Sequence, residues 1–314
     1  RKGVYDFGRM TNLPAAMRES VGSHFVVDIG KIRSTQRSSS DGSIKLLVEL
    51  SDGECVETVY IPKGARRTVC LSTQVGCKFR CGFCASGQAG FFRNLKPAEI
   101  VAQILAARQV SDGGRLTHVV FMGIGEPLDN YDNVLRAIRL LNDPALLGIG
   151  ARRITISTCG VVPKIKRLAQ EGLQVELSVS LHGARDDLRS SIMPVNRRFS
   201  VRELLAACAE YTQKTKRIIT FEYILAGGLN ASPTDAEELA VVLKKVSCKV
   251  NLIPLNPIPE FPFTRPAKKA IHAFSGVLRK RGIPSTVRFS SGGDIQAACG
   301  QLRSVELEHP EGTC

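Results

Sequence analysis

The chain has 314 residues, of which 43% are hydrophobic and 23% charged, ordinary values for a folded protein with room for one large α/β barrel or two domains. Lys and Arg total 43 against 29 acidic residues, and the resulting net charge of +14 favours a polyanionic partner such as nucleic acid. No run approaches the ~18 apolar residues that span a bilayer, so no membrane association is expected.

The basic residues are dispersed, as in Arg66-Arg67, Arg152-Arg153, Arg197-Arg198, Lys268-Lys269 and Arg279-Lys280-Arg281. Each pair alone reads as solvated surface, and only the sum is informative. The absence of Trp and the scarcity of Tyr speak against base-stacking platforms. Ten cysteines without a secretory pattern point to a reducing compartment, with cytoplasmic location expected. The chain starts at Arg1 rather than Met, so an upstream segment is expected to be missing.

In chain order, residues 1 to about 25 read as helical around Leu13 to Arg18, with Asn12 as N-cap and Pro14 near the first turn. From Phe25 to Ile61 the period changes to two. Ile44 to Leu50 and Cys55 to Ile61 flank Ser51-Asp52-Gly53-Glu54, and Asp41-Gly42 marks another turn, which together predict a small antiparallel sheet.

After Arg66 the pattern is strand, loop, helix, repeated. Strands are predicted at Thr68 to Ser72, His118 to Gly123, Arg153 to Ser157, Val175 to Leu181, Ile218 to Ile224, Lys249 to Ile253 and Ser285 to Phe289. Helices are predicted at Pro97 to Val110, Tyr131 to Leu141, Val162 to Ala169, Val201 to Lys214, Pro233 to Lys245 and Lys268 to Arg281. Such alternation implies a parallel sheet with right-handed crossovers, closing into a complete or partial barrel. The expected organisation is an accessory region at 1–62, an α/β core at 63–290 and a C-terminal segment at 291–314. Ser38-Ser39-Ser40 is the one low-complexity tract in view.

Parallel barrels place their chemistry at the carboxyl ends of strands. The first strand leads into Cys77-Lys78-Phe79-Arg80-Cys81-Gly82-Phe83-Cys84, a C-x3-C-x2-C loop. Three thiolates in so short a loop can hold three irons of a cubane cluster and leave the fourth open, which suggests chemistry rather than structure. The alternative is zinc, with Cys70 or a distant His as fourth ligand, but no second Cys/His pair accompanies the loop. Later strands end in Gly123-Ile124-Gly125-Glu126-Pro127, Ser157-Thr158-Cys159-Gly160, Ser180-Leu181-His182-Gly183 and Pro254-Leu255-Asn256-Pro257. Glycines there let backbone approach a ligand, and Glu126 can accept from an ammonium group. Cys208 and Cys248 read as small buried apolar residues, and Cys314 as a chain end. Cys299 alone would read the same way, although glycines on both sides permit a loop that delivers it across the barrel mouth.

The cysteine spacing resembles that of the radical S-adenosylmethionine (SAM) enzymes. Cys70 to Cys77, Phe92-Arg93-Asn94-Leu95, Gly123 to Leu128, Asn251-Leu252-Ile253-Pro254 and Asp294 to Leu302 are more specifically similar to the RlmN/Cfr family, which methylates an adenosine of 23S ribosomal RNA. The similarity runs through nearly the whole chain. It implies a partial (β/α)6 barrel with a small N-terminal helix and antiparallel-sheet region, a [4Fe-4S] cluster on Cys77, Cys81 and Cys84, and two SAM molecules per turnover. Gly125, Glu126, Ser157, Ser180, Leu181, His182 and Asn256 would contact SAM. Cys299 would be methylated by displacement and its methyl group then activated by radical hydrogen removal, Cys70 would resolve the adduct through a transient disulfide, and Glu57 would be the general base.

The resemblance further implies methylation at adenine carbon 2, with a tRNA adenosine next to the anticodon as second candidate substrate, a flavodoxin- or ferredoxin-type reductase as electron donor, and a monomer. It also implies that the chain starts inside the family's N-terminal RNA-binding region. The neighbouring alternative is Cfr-type methylation at carbon 8, and from another class a non-catalytic zinc-stabilised RNA-binding protein. Three positions depart from the pattern: Cys159, often Ser or Val; Leu255, often aromatic; and Ser291, usually Arg.

Overall fold

The computed structural model describes residues 4, 6–27, 30–111 and 113–303. A short 3-10 turn, Phe7–Arg9, precedes α1 (Ala15–His24), whose N-cap is Pro14 rather than the expected Asn12. Proline fixes its own φ and lacks an N–H, so the helix begins directly after it. Then β1 (Lys31–Arg37), β2 (Ile44–Glu49), β3 (Cys55–Lys63) and β4 (Arg66–Cys70) form an antiparallel meander. Its first two turns fall at the Asp-Gly sites read from the sequence, and the third is at Gly64-Ala65.

β4 also pairs in parallel with β7 (His118–Phe121), so the meander and the following α/β repeat share one sheet. Between them lie β5 (Gln74–Gly76), the cysteine loop, α2 (Ala85–Gln88), β6 (Phe91–Asn94) and α3 (Pro97–Val110). The repeat continues through α4 (Tyr131–Asn142), β8 (Ile154–Thr158), α5 (Val162–Leu168), β9 (Glu176–Ser180), α6 (Asp186–Ile192), α7 (Val201–Thr215), β10 (Ile219–Leu225), α8 (Pro233–Leu243), β11 (Cys248–Pro254), α9 (Lys268–Lys280) and β12 (Ser285–Val287). Among the described residues the main sheet has ten strands in the order β1-β2-β3-β4-β7-β8-β9-β10-β11-β12. From β4 to β12 every pairing is parallel, and β12 does not pair with β4. The barrel is therefore partial, as expected.

Helix starts follow local chemistry. Ser200 and Glu203 form a reciprocal capping box on α7, and Ser232 and Asp235 do the same on α8, where Pro233 takes the first helical position. The core lies between the outer face of the sheet and the helices. Val69, Val119, Phe121, Ile156, Val179, Phe221 and Leu252 pack with Ile100, Ile138, Ile165, Leu204, Leu239 and Phe274, all buried. Each large side chain so removed from water contributes about 1.5–3 kcal/mol.

The alternate strand positions turn inward and are largely polar: Thr68 on β4, Thr155 on β8, Ser178 on β9, Thr220 and Glu222 on β10, Asn251 on β11. They line a lumen of about 490 Å³. The two-residue period of the strands thus separates an apolar outer layer from a polar interior.

Candidate active site

A second cavity, of about 150 Å³, sits at the carboxyl ends of the parallel strands. Cys77, Cys81, Cys84, Gly125, Glu126, Ser157, Ser180 and His182 all line it, together with Cys299. The cysteine loop is held there by its flanks. β5 and β6 pair as a two-stranded ribbon that brings residues 76 and 91 together and closes the loop at its base. Gly76, at φ +73, can be nothing but glycine, since a Cβ would strike the carbonyl oxygen of Gly90. The Gly82 amide donates to the Ile192 carbonyl at 2.9 Å, and the Phe83 ring meets the His182 ring edge-on, centroids 4.6 Å apart.

Burial pushes the Cys77 thiol up to about 12 and raises Cys81 and Cys84 as well. Three soft donors converging on one cavity, each costly to ionise without a cation, suit an iron-sulfur cluster. Among the described residues no three His, Cys, Asp or Glu side chains meet at a single-ion site. Cys70, the fourth ligand of the zinc alternative, lines the lumen instead.

Glu126 shares the cavity and is buried. Its Oε1 accepts from the Leu128 amide at 2.9 Å and its Oε2 from the Cys159 amide at 2.7 Å, and the Thr158 and Cys159 side chains also hydrogen-bond the carboxylate. Burial raises its pKa, an arrangement that a cationic ligand group would relieve. Gln74 fixes the turn by accepting from the Glu126 amide at 2.8 Å, and at Gly125, φ +99, any Cβ would lie 2.6 Å from Cβ of Gln74. His182 is also left-handed, at φ 56; its Nδ1 accepts from the Ile224 amide at 3.0 Å, and burial, aided by the nearby Arg189 charge, lowers its pKa to about 3. The ring is a neutral structural acceptor facing the cavity.

Arg189 was not singled out in the sequence, because a charged residue defaults to the surface. It is completely buried. Its guanidinium donates to the carbonyls of Leu181 (3.0 Å), Cys159 (2.6 Å) and Ser180 (3.1 Å) and to Asn196 Oδ1 (2.9 Å). One cation thereby ties together the ends of β8 and β9, where two of the predicted ligand-contacting segments begin. The departure at Cys159 is accommodated because its backbone makes these contacts.

Cys299 lies on a strap, residues 292–303, crossing the open side of the barrel mouth. The Ala85 amide donates to Gly300 O (2.7 Å), Ser86 Oγ to Leu302 O (2.7 Å) and Asn256 Nδ2 to Cys299 O (3.2 Å). Asn256 holds the strap and is not part of the cavity lining, whereas Leu181 packs in the core. Cys299 is half-buried and lines both cavities, a property it shares with Met122, Glu222 and Arg288. Cys70 faces it from the lumen side; burial and the neighbouring Cys299 push the Cys70 thiol up to about 12. The Arg288 guanidinium interacts electrostatically with both thiols and donates weakly to Met122 Sδ at 3.8 Å, and its pKa is raised chiefly by Cys299.

Glu57 lines neither cavity. It is buried on β3, paired with Lys45 at 2.9 Å, and accepts the Arg303 amide at 2.7 Å through Oε2. Ser291 lines the lumen and Leu255 is buried beneath the cysteine loop, so neither departure disturbs the cavity of the cysteines. Cys208 is fully buried and Cys248 half-buried, whereas Cys314 lies outside the described residues.

Residues 71–240 match the model of the radical SAM superfamily. A protein of Protochlamydia amoebophila named "Probable dual-specificity RNA methyltransferase RlmN 2" is 49% identical over 99% of this chain and 88% of its own length. A similarly named RlmN protein of Symbiobacterium thermophilum is 47% identical over 97% of this chain and 82% of its own. The crystal structure of a radical SAM methyltransferase from Sphaerobacter thermophilus superposes with a TM-score of 0.92 at 48% identity, covering 96% of this chain and 89% of that one. Sequence kinship at this level, with the cysteine loop seated at the mouth of a partial barrel, places the protein: the chain belongs to the radical SAM superfamily and, within it, to the RlmN family of RNA methyltransferases.

Proposed function

We propose that the protein methylates carbon 2 of an adenosine in 23S rRNA at the peptidyl transferase centre, with Cys299 as methyl carrier. The observation that supports this most directly is the position of Cys299, which faces the cluster-binding cysteines on one side and Cys70 on the other. Bound there, a [4Fe-4S] cluster and SAM supply one-electron cleavage and a strong hydrogen-abstracting radical.

The chain's own residues perform the rest. Cys299, as thiolate, would take the methyl group of one SAM molecule and release S-adenosylhomocysteine. Loss of a hydrogen atom from that methyl group to the 5′-deoxyadenosyl fragment supplied by reductive cleavage of a second would leave a carbon radical attached to Cys299. Addition to the adenine ring joins RNA to protein through a methylene bridge. The adduct would give its unpaired electron back to the electron-transfer system. Glu57 removes the ring proton, which requires its contact with Arg303 to open, and Cys70 attacks Cys299 Sγ, breaking the S–CH2 bond so that the released carbon takes up a proton and a disulfide forms. An external thiol reductant reopens that disulfide for the next turnover. The Arg288 charge partly offsets the burial that keeps Cys70 protonated. The segment 291–314 acts as the carrier arm and 1–62 as the remainder of an RNA-binding region, with a tRNA adenosine beside the anticodon as second substrate. A flavodoxin- or ferredoxin-type donor and a monomeric state complete the reading. Among the described residues no helix is long and apolar enough to cross a membrane.

The test is mass analysis of Cys299 after anaerobic incubation with methyl-labelled SAM, followed by nucleoside analysis of digested RNA. One added methyl group on Cys299 and 2-methyladenosine in the RNA are expected. An 8-methyl product would replace the carbon 2 assignment by carbon 8, and an unmodified Cys299 would end the carrier reading.

A further inference from the structure

We propose that Glu222 selects the target base, its second carboxylate oxygen accepting a hydrogen bond from the exocyclic amine of adenine inside the lumen. The proposal rests on the reading above. Glu222 stands midway along β10, opposite Asn251 of β11 and Ser180 of β9. Its Oε1 accepts from Ser178 Oγ at 3.0 Å and Asn251 Nδ2 at 3.2 Å, so the side chain is fixed from both neighbouring strands. Oε2 is buried and, among the described residues, has no hydrogen-bond partner.

A buried carboxylate oxygen without a donor is unusual in a native interior and calls for a ligand. Arg288 is the nearby cation, yet it forms no ion pair with Glu222 and leans towards Met122 Sδ. Glu222 is also one of the four residues that line both cavities, with Cys299 among them. A base that receives carbon from Cys299 must touch this group of residues. A carboxylate only accepts, and adenine carries an N–H donor on its six-membered ring where guanine and hypoxanthine carry a carbonyl oxygen. The polar ring of Thr155, Ser178, Thr220 and Asn251 around it suits a flat heterocycle with several edges to satisfy.

The experiment compares kcat/KM of the cluster-loaded protein on an RNA fragment carrying adenosine, inosine or unsubstituted purine riboside at the target position. For the unaltered protein, adenosine should exceed inosine by about 100-fold or more, with purine riboside between them. In Glu222→Gln the amide oxygen can stay on Ser178 and Asn251 while the NH2 group faces the base, so the ratio should fall about tenfold or more in favour of inosine. Equal rates on adenosine and inosine RNA with the unaltered protein overturn the proposal, even if the variant does not fold. An unchanged ratio in Glu222→Gln, with only weaker SAM binding, overturns it too and assigns Glu222 to a cofactor hydroxyl. Failure of the underlying function is told apart by the unaltered protein, which would then load no methyl group on Cys299 and modify no adenosine.

Discussion

Asp294 and Ser38 are 256 positions apart in sequence and joined by a 2.8 Å hydrogen bond from Ser38 Oγ to the Asp294 carboxylate. The Ser39 amide (3.0 Å) and the Ser40 hydroxyl (3.3 Å) donate to the same carboxylate, and the Gly292 amide donates to Asp41 at 3.0 Å. The turn between β1 and β2 therefore fastens the strap at Gly292 and Asp294, near its start and ahead of Cys299.

Breaking this fastening should free the strap without unfolding the protein. In Asp294→Ala, hydrogen exchange of residues 292–303 is expected to quicken while the barrel strands keep their protection. Exchange in the strap that matches the unaltered protein would show that the serine turn does not hold it.

The two thiols should fail in different ways. Cys299→Ala is expected to abolish methyl loading. Cys70→Ala should still load the methyl group and then accumulate a covalent protein–RNA species, visible as a shifted band in denaturing gels. Multiple turnover by Cys70→Ala would remove its resolving role.

Arg189 holds four oxygen acceptors in a site closed to water. Replacing it with Met leaves those carbonyls without donors, an expected loss of about 2–5 kcal/mol in unfolding free energy. Cluster content after anaerobic reconstitution should fall with it, as measured by iron and sulfide analysis. A variant of unaltered stability would mean that water or neighbouring amides replace the guanidinium.

His182 links stability to pH. Its folded pKa, about 3, lies below the ordinary histidine value near 6.5, so between these limits the unfolded chain binds a proton that the folded protein refuses. Stability from this group is complete above about pH 6.5 and is lost as pH falls towards 3, at about 1.4 kcal/mol per pH unit. His182→Asn tolerates the left-handed backbone and can accept from Ile224, and denaturant melts should show a shallower acid slope. An identical slope would place the acid sensitivity elsewhere.

The architecture was legible because its signals are local. Proline-started helices such as α3 and α8, the Asp-Gly turns of the meander and the cysteine spacing each fit within a few residues. The missing pieces are relationships across the chain. β5 and β6 are too short to show a period, and they become strands only because residues 74–76 and 91–94 meet around the loop. Ser38-Ser39-Ser40 reads as low complexity until Asp294 arrives from the far end of the sequence. The lumen has a signal in the sequence: Thr155, Ser178, Glu222 and Asn251 are polar residues each flanked on both sides by an apolar or aromatic neighbour, the alternation expected of one polar face. For Glu57, the contacts with Lys45 and Arg303 could not be foreseen from a strand carboxylate alone.

The hollow, hydrophilic interior also shapes what evolution can alter at little risk. Because the apolar packing that keeps this protein folded lies on the outside of its sheet, residues lining the inside are insulated from most of the stability cost of exchange. Under the proposed function, exchanges at Thr155 or Thr220 would change what the lumen accepts while the apolar shell stays intact.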